Sequence, residues 1–241
     1  MKWSAIEGNP GVRLGVSSDG VSVPAAVSID AMVRRWRQLT VWLHILTSVG
    51  WMAQAMTLCV LLSVGLAADD LHVRDAATSM AQAVDGRLVG PMADASAFTG
   101  IMLAAATPWG FFRNWWVLIK FVITLVQLYL GIFVLSAALA HSVAAGPTPA
   151  QVAGTALMAS AIAFQCWLSV AKPWGGIRGR RRTGGGTGPA WVFAATVLGG
   201  LADLALAFAI GHPIPLLSLI LLAVGLLRRP RRVASVASAP G

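Results

Sequence analysis

Charge is scarce in this chain. Only 11% of its 241 residues are Asp, Glu, Lys or Arg, against roughly 25% in soluble domains. With 57% hydrophobic residues and a mean hydropathy of +0.74, that shortage excludes an ordinary soluble globular protein. Cysteine is nearly absent. Cys59 and Cys166 both fall inside apolar stretches, which argues against a disulfide framework or a cysteine zinc site. Acidic residues are outnumbered, 9 against 18 Lys and Arg. In a nucleic-acid-binding protein such an excess forms a phosphate-facing patch. Here the basic residues sit in short runs between apolar stretches, the pattern of membrane topology, and nucleic acid is not an expected partner. No apolar run lies close to the N-terminus, so a cleaved signal peptide is not expected. Missing too are a Walker loop, a GxSxG elbow, an HExxH pair and a Cys–His pair at matching depth. A non-enzymatic membrane protein is the expectation.

What is present is a series of apolar stretches near the length that a bilayer demands, about 20 helical residues for a roughly 30 Å hydrocarbon core. They lie at about 40–68, 88–107, 115–140, 150–171, 189–211 and 213–227. The last reaches only about 22 Å as a helix and reads as a marginal crossing or the second arm of a shallow hairpin. Residues 69–87 read as a polar loop with at most a short surface helix. The expected organisation is a flexible tail (1–30), a four-helix transmembrane core (31–175), a basic Gly/Arg-rich cytoplasmic loop (176–188), a two-helix transmembrane extension (189–228) and a basic cytoplasmic tail (229–241). The fold class is therefore all-α, a polytopic transmembrane bundle of six helices.

Basic residues orient it. With the N-terminus cytoplasmic, the inner segments hold Arg34, Arg35, Arg37, Arg113, Lys172, the run Arg178–Arg182 and the run Arg228–Arg232. The outer segments hold Arg74 and Arg87. Six crossings with both N- and C-termini cytoplasmic fit the positive-inside rule, whereas five would strand the final arginines outside. Trp36, Trp42, Trp109, Trp115, Trp116, Trp174 and Trp191 all fall at the same inner interface, the level amphipathic indoles prefer. A cytoplasmic (inner) membrane location follows, with anionic lipids attracted to the basic cytoplasmic face. Pro108-Trp109-Gly110 and Pro173-Trp174-Gly175 recur at two helix exits. They read either as a duplicated hairpin or as residues ordinary at a helix exit.

Polar residues inside spans are the best functional pointers in such a chain. At 100° per residue, His44, Thr47, Ser48, Trp51 and Ala55 share one face of the first span. Lys120, Thr124, Gln127, Gly131 and Ala138 share one of the third, and Thr155, Ala159, Cys166 and Ser169 one of the fourth. Such stripes serve equally as helix–helix interfaces. His44 and Lys120 lie at similar depth and are expected to cluster with Gln165; Lys120 is also placed to snorkel to the headgroups. Asp94 and Asp203 are the carboxylates within spans, each a candidate for a packing hydrogen bond or a proton or cation site. For a metal or haem b the candidate ligands are His44, His72, His141 and His212. His44 and His141 differ in depth, which disfavours bis-histidine haem. Met52 and Met56 are thioethers of a kind that suits copper, though core filling explains them as well.

Three segments carry a resemblance: Leu43-His44-Ile45 through Gly50-Trp51, Thr107 through Lys120 (TPWGFFRNWWVLIK), and Leu168 through Gly175 (LSVAKPWG). Over about residues 38–175 the chain resembles a family of bacterial integral membrane proteins, a domain of unknown function built on four helices. The family implies a four-helix membrane core and no established activity, with a distant similarity to copper-resistance D-type membrane proteins. The expected function is small-solute or ion permeation, or an accessory role in a membrane complex with a protein partner or a second copy. The alternative is a haem- or copper-binding redox subunit.

Overall fold

The computed structural model describes residues 25–174, 176–177, 187–211 and 213–227. The runs Arg178–Arg182 and Arg228–Arg232, and His212, lie outside the described residues. The described chain is mostly helical, in eight α-helices and two π-helical turns: α1 (Ala25–Ala67), α2 (Leu71–Val84), π1 (Asp85–Val89), α3 (Gly90–Ala106), α4 (Trp115–Tyr129), π2 (Leu130–Leu135), α5 (Ser136–Ala145), α6 (Pro149–Ala171), α7 (Ala190–Ile210) and α8 (Leu216–Leu227). The α2–π1–α3 and α4–π2–α5 segments are continuous rods, so five helices are long and apolar enough to cross a membrane. The protein is a multi-pass membrane protein by that measure.

Successive long helices alternate in direction. On α1, His44 meets Thr99 and Ser48 meets Ser96, so α1 and α3 are antiparallel. Thr40 donates to the carbonyl of Phe193 and Leu43 approaches Gly200, so α1 and α7 run parallel. α1 lies at the centre and packs against α2, α3, α6 and α7. Its buried face carries Leu43, Thr47, Trp51, Ala55, Leu58 and Leu62, the three-four spacing of one helical stripe. Trp51 and Ala55 pack with Ala93, Met158, Ala159 and Ile162. A second cluster joins Leu58 and Leu62 to Ala81 and Leu139. The opposite faces are exposed apolar side chains, including Ile45, Val49, Val60, Phe133, Leu157 and Val170, as a helix facing lipid requires.

Several boundaries differ from expectation. α1 begins at Ala25, inside the segment read as a tail, and its 43 residues are about 65 Å long. The expected polar loop at 69–87 is helix. Asp70 caps it by accepting from the backbone N–H of His72 at 2.8 Å, and Ala77, Thr78 and Ala81 are buried. That stretch is amphipathic, with His72, Asp75 and Arg87 exposed, which lowers its hydropathy without breaking the helix. α8 has 12 residues, about 18 Å, shorter than a crossing.

The two Pro-Trp-Gly exits have different backbones. Thr107 before the first proline is extended (φ −115°, ψ 164°), as a residue preceding proline prefers. Lys172 before the second is left-handed (φ 44°). Trp174 is left-handed as well (φ 61°), whereas Trp109 is not, so the two exits differ over their described residues. The two exits nonetheless meet, through the bridge Asn114–Gly176 and the bond from Ile177 N–H to the Arg113 carbonyl at 2.9 Å. The tryptophans at these exits, with Trp36, Trp42 and Trp191, mark one end of the bundle. The turns α1–α2 and α5–α6 mark the far end, opposite this tryptophan end.

Candidate functional site

Two cross-helix polar clusters form, in which members of the predicted stripes meet residues outside them, Ser96 and Thr99 of α3 and Gln165 of α6. In the first, His44 Nδ1 lies 3.0 Å from the carbonyl of Ser96 and 3.1 Å from Thr99 Oγ1. A carbonyl only accepts, so Nδ1 carries the proton. Ser48 and Ser96 hydroxyls are 2.7 Å apart. Gly100 makes room for the imidazole, since a Cβ there would stand 2.9 Å from His44 Cε1.

The second cluster links α4 to α6. Lys120 Nζ donates to Ser169 Oγ at 2.5 Å, and Thr124 Oγ1 donates to Gln165 Oε1 at 2.9 Å. The Gln165 amide donates to Gln127 Oε1, and the Gln127 amide donates to the Met158 carbonyl at 3.1 Å. Gln127 and Gln165 are both buried, so each amide supplies what the other lacks in a medium with no water to substitute. The Lys120 ammonium, which the sequence placed within snorkelling reach of the headgroups, meets Ser169 of the neighbouring helix.

These clusters line two cavities stacked along the bundle axis. The one nearer the tryptophan end has a volume of about 360 Å³ and includes His44, Ser48, Lys120, Thr124, Gln165, Ser169 and Lys172 in its wall. The other, about 460 Å³, is more apolar and includes Leu58, Val89, Ile132 and Leu135, with Asp85, Asp94, Gln127 and Thr155. Trp51 belongs to both walls. The Gln127–Gln165 bond crosses from one to the other. Thus the predicted His44, Lys120 and Gln165 share one cavity, and Asp94 and Gln127 belong to its neighbour.

Both π-turns border the far cavity. Ser136, directly after π2, donates to Asp85 Oδ2 in π1 at 2.5 Å. Wide turns of this kind concentrate at functional positions. Asp85 escaped the sequence reading because it stood in the supposed loop. The signal was there: Ala77, Ala81 and Leu88 bracket it at helical spacing.

Asp203 is buried in α7 and has a defined structural partner. Its two carboxylate oxygens accept from the backbone N–H groups of Leu217 and Ser218, at 3.1 and 2.6 Å. It therefore satisfies the open N-terminus of α8, where helical N–H groups have no partner of their own. Asp94 and Asp203 border a gap of about 10 Å³, about one water molecule in size.

The described histidines do not converge. His72 and His141 are exposed on α2 and α5, toward the far end, while His44 lies toward the tryptophan end. Among the described residues no three His, Cys, Asp or Glu side chains are placed to hold a metal ion. The chain matches no family model, no curated protein and no solved structure, so the resemblance to the four-helix bacterial family rests on the residues quoted for it.

Proposed function

We propose that this protein is a cytoplasmic-membrane permeation protein, in which a small solute or ion passes along the two stacked cavities, past Trp51 and the Gln127–Gln165 pair. The observation that carries this reading is the stacking: two cavities share the side chain of Trp51 and are lined by polar groups from α1, α3, α4 and α6. Helix packing alone needs small residues and occasional hydroxyls. It does not need empty volume beside an ammonium and a buried amide pair. Six crossings with both termini cytoplasmic complete the reading. The distribution of Arg and Lys favours it, and the basic segments would draw anionic lipid to that face by about 1 kcal/mol per residue.

The redox alternative gains no support from the described histidines: His44 lies toward the opposite end of the bundle from His72 and His141, and among the described residues no three His, Cys, Asp or Glu side chains gather to hold a metal ion.

The test is flux. Full-length protein in liposomes is assayed with potassium, chloride, protons and glycerol, alongside a Trp51→Ala variant that opens the boundary between the cavities. The expected result is flux of at least one probe above protein-free liposomes, increased in Trp51→Ala. If both proteins leave all four probes at the protein-free rate, permeation is overturned. A partner that co-purifies in fixed stoichiometry would then make the accessory-subunit role the next to test.

A further inference from the structure

The cavity near the tryptophan end has an unbalanced charge. Lys120 and Lys172 belong to its wall, and among the described residues no carboxylate does. Lys120 gives one of its three N–H donors to Ser169. An ammonium at this depth is costly unless an anion or further acceptors meet it. The rest of the wall is largely apolar and rich in rings, with Trp109, Trp116 and Phe121 close to the lysines in sequence and space. A volume of about 360 Å³ is within the range of small-ligand pockets. α4, which supplies Lys120 to this wall, presents Trp115, Val122, Leu125 and Val126 on its outer face as a lipid-facing surface would.

We propose that this cavity binds a carboxylate carried on an apolar body, the carboxylate held by Lys120 and Lys172 and the body by the aromatic wall. The inference names the solute class of the permeation reading and rests on that reading for transport, though not for binding. Either an alkyl carboxylate from the bilayer or an aromatic one from solution supplies this chemistry.

The experiment titrates bromine-tagged decanoate into full-length protein in nanodiscs of zwitterionic lipid and reads quenching of tryptophan emission. Bromine-tagged decanol is the control for partitioning. The expected result is saturable quenching by the acid, weakened about tenfold in Lys120→Met, the scale of one lost charged hydrogen bond, and retained in Lys120→Arg. Equal quenching by acid and alcohol overturns the proposal, as does unchanged affinity in Lys120→Met. If Lys120→Met does not fold, Lys172→Met, at an exposed position, takes its place under the same criteria. Benzoate that competes assigns the ligand to solution; benzoate that does not compete assigns it to the bilayer; both uphold the site. Saturable binding without release inside proteoliposomes overturns transport of this ligand and leaves the site standing. Flux of potassium, chloride, protons or glycerol without saturable carboxylate binding overturns the site and leaves permeation standing.

Discussion

Asp203 is tolerated in an apolar helix because backbone comes to meet it. α8 starts beside the C-terminal third of α7, and its first N–H groups lie where hydrocarbon offers them nothing. The carboxylate accepts from two of them, so one side chain answers two costs at once. Replacement by Asn keeps the shape but presents an NH₂ to at least one of those donors. Asp203→Asn should therefore lower unfolding free energy by about 1–3 kcal/mol, read as a shifted midpoint when the purified protein is unfolded with SDS and followed by far-ultraviolet circular dichroism. An unchanged midpoint would deny the capping role. The sequence marked Asp203 as one of two carboxylates within spans and left packing and proton or cation chemistry open. Its partner lies 14 residues away, across a turn whose path no periodicity reveals.

At the scale of elements, the stripes on α1, α4 and α6 were legible because burial follows the 3.6-residue period. Thr47, Trp51, Ala55, Gln127, Thr155 and Ala159 are all buried. What the stripes could not say is which residues pair. Gln127 and Gln165 form one unit because α4 and α6 are antiparallel and pack with these positions level. The π-turns were not legible at all, since a single wide turn leaves the composition unchanged while rotating everything beyond it. The Asp85–Ser136 bond depends on that rotation. The Gln pair permits a quantitative test. Gln127→Leu leaves the Gln165 amide without an acceptor, and Gln165→Leu leaves Gln127 and Thr124 short of partners. In SDS unfolding, the double variant should cost less than the two single variants combined, by about 0.6–1.7 kcal/mol, the range found for hydrogen bonds between membrane helices. Strict additivity would mean that the pair is not a coupled unit and does not hold the boundary between the cavities.

For the whole molecule, the deciding element is the hairpin of α7 and α8. α8 alone is too short to cross, and the sequence treated its stretch as marginal for that reason. The structure shows how the path can still be completed. The chain turns at Gly211 (φ 81°), returns through the non-helical Pro213-Ile214-Pro215, and enters α8 level with Asp203. From there the register is antiparallel, with Gly199 against Leu221, and it carries Leu227 to the first turns of α7. The two prolines lack N–H groups, so the non-helical piece exposes fewer donors than its length suggests. Non-helical backbone of this kind is acceptable at depth where protein covers it, and Pro213 does pack on Gly90 of α3. If this return, about 28 Å in all, crosses the bilayer, the chain regains the side on which α7 begins. Both termini should then share one side. The measurement uses a background with Cys59→Ser and Cys166→Ser and single cysteines introduced by Ser18→Cys, Ala237→Cys or Ala76→Cys, the last at an exposed α2 position. In right-side-out vesicles an impermeant maleimide should label Ala76→Cys alone, and permeabilisation should add the other two. Labelling of Ala237→Cys in sealed vesicles would mean five crossings. It would place the closing arginines outside against the positive-inside bias, and it would leave α8 as a helix that enters the bilayer beside Asp203 without returning to the side on which α7 begins.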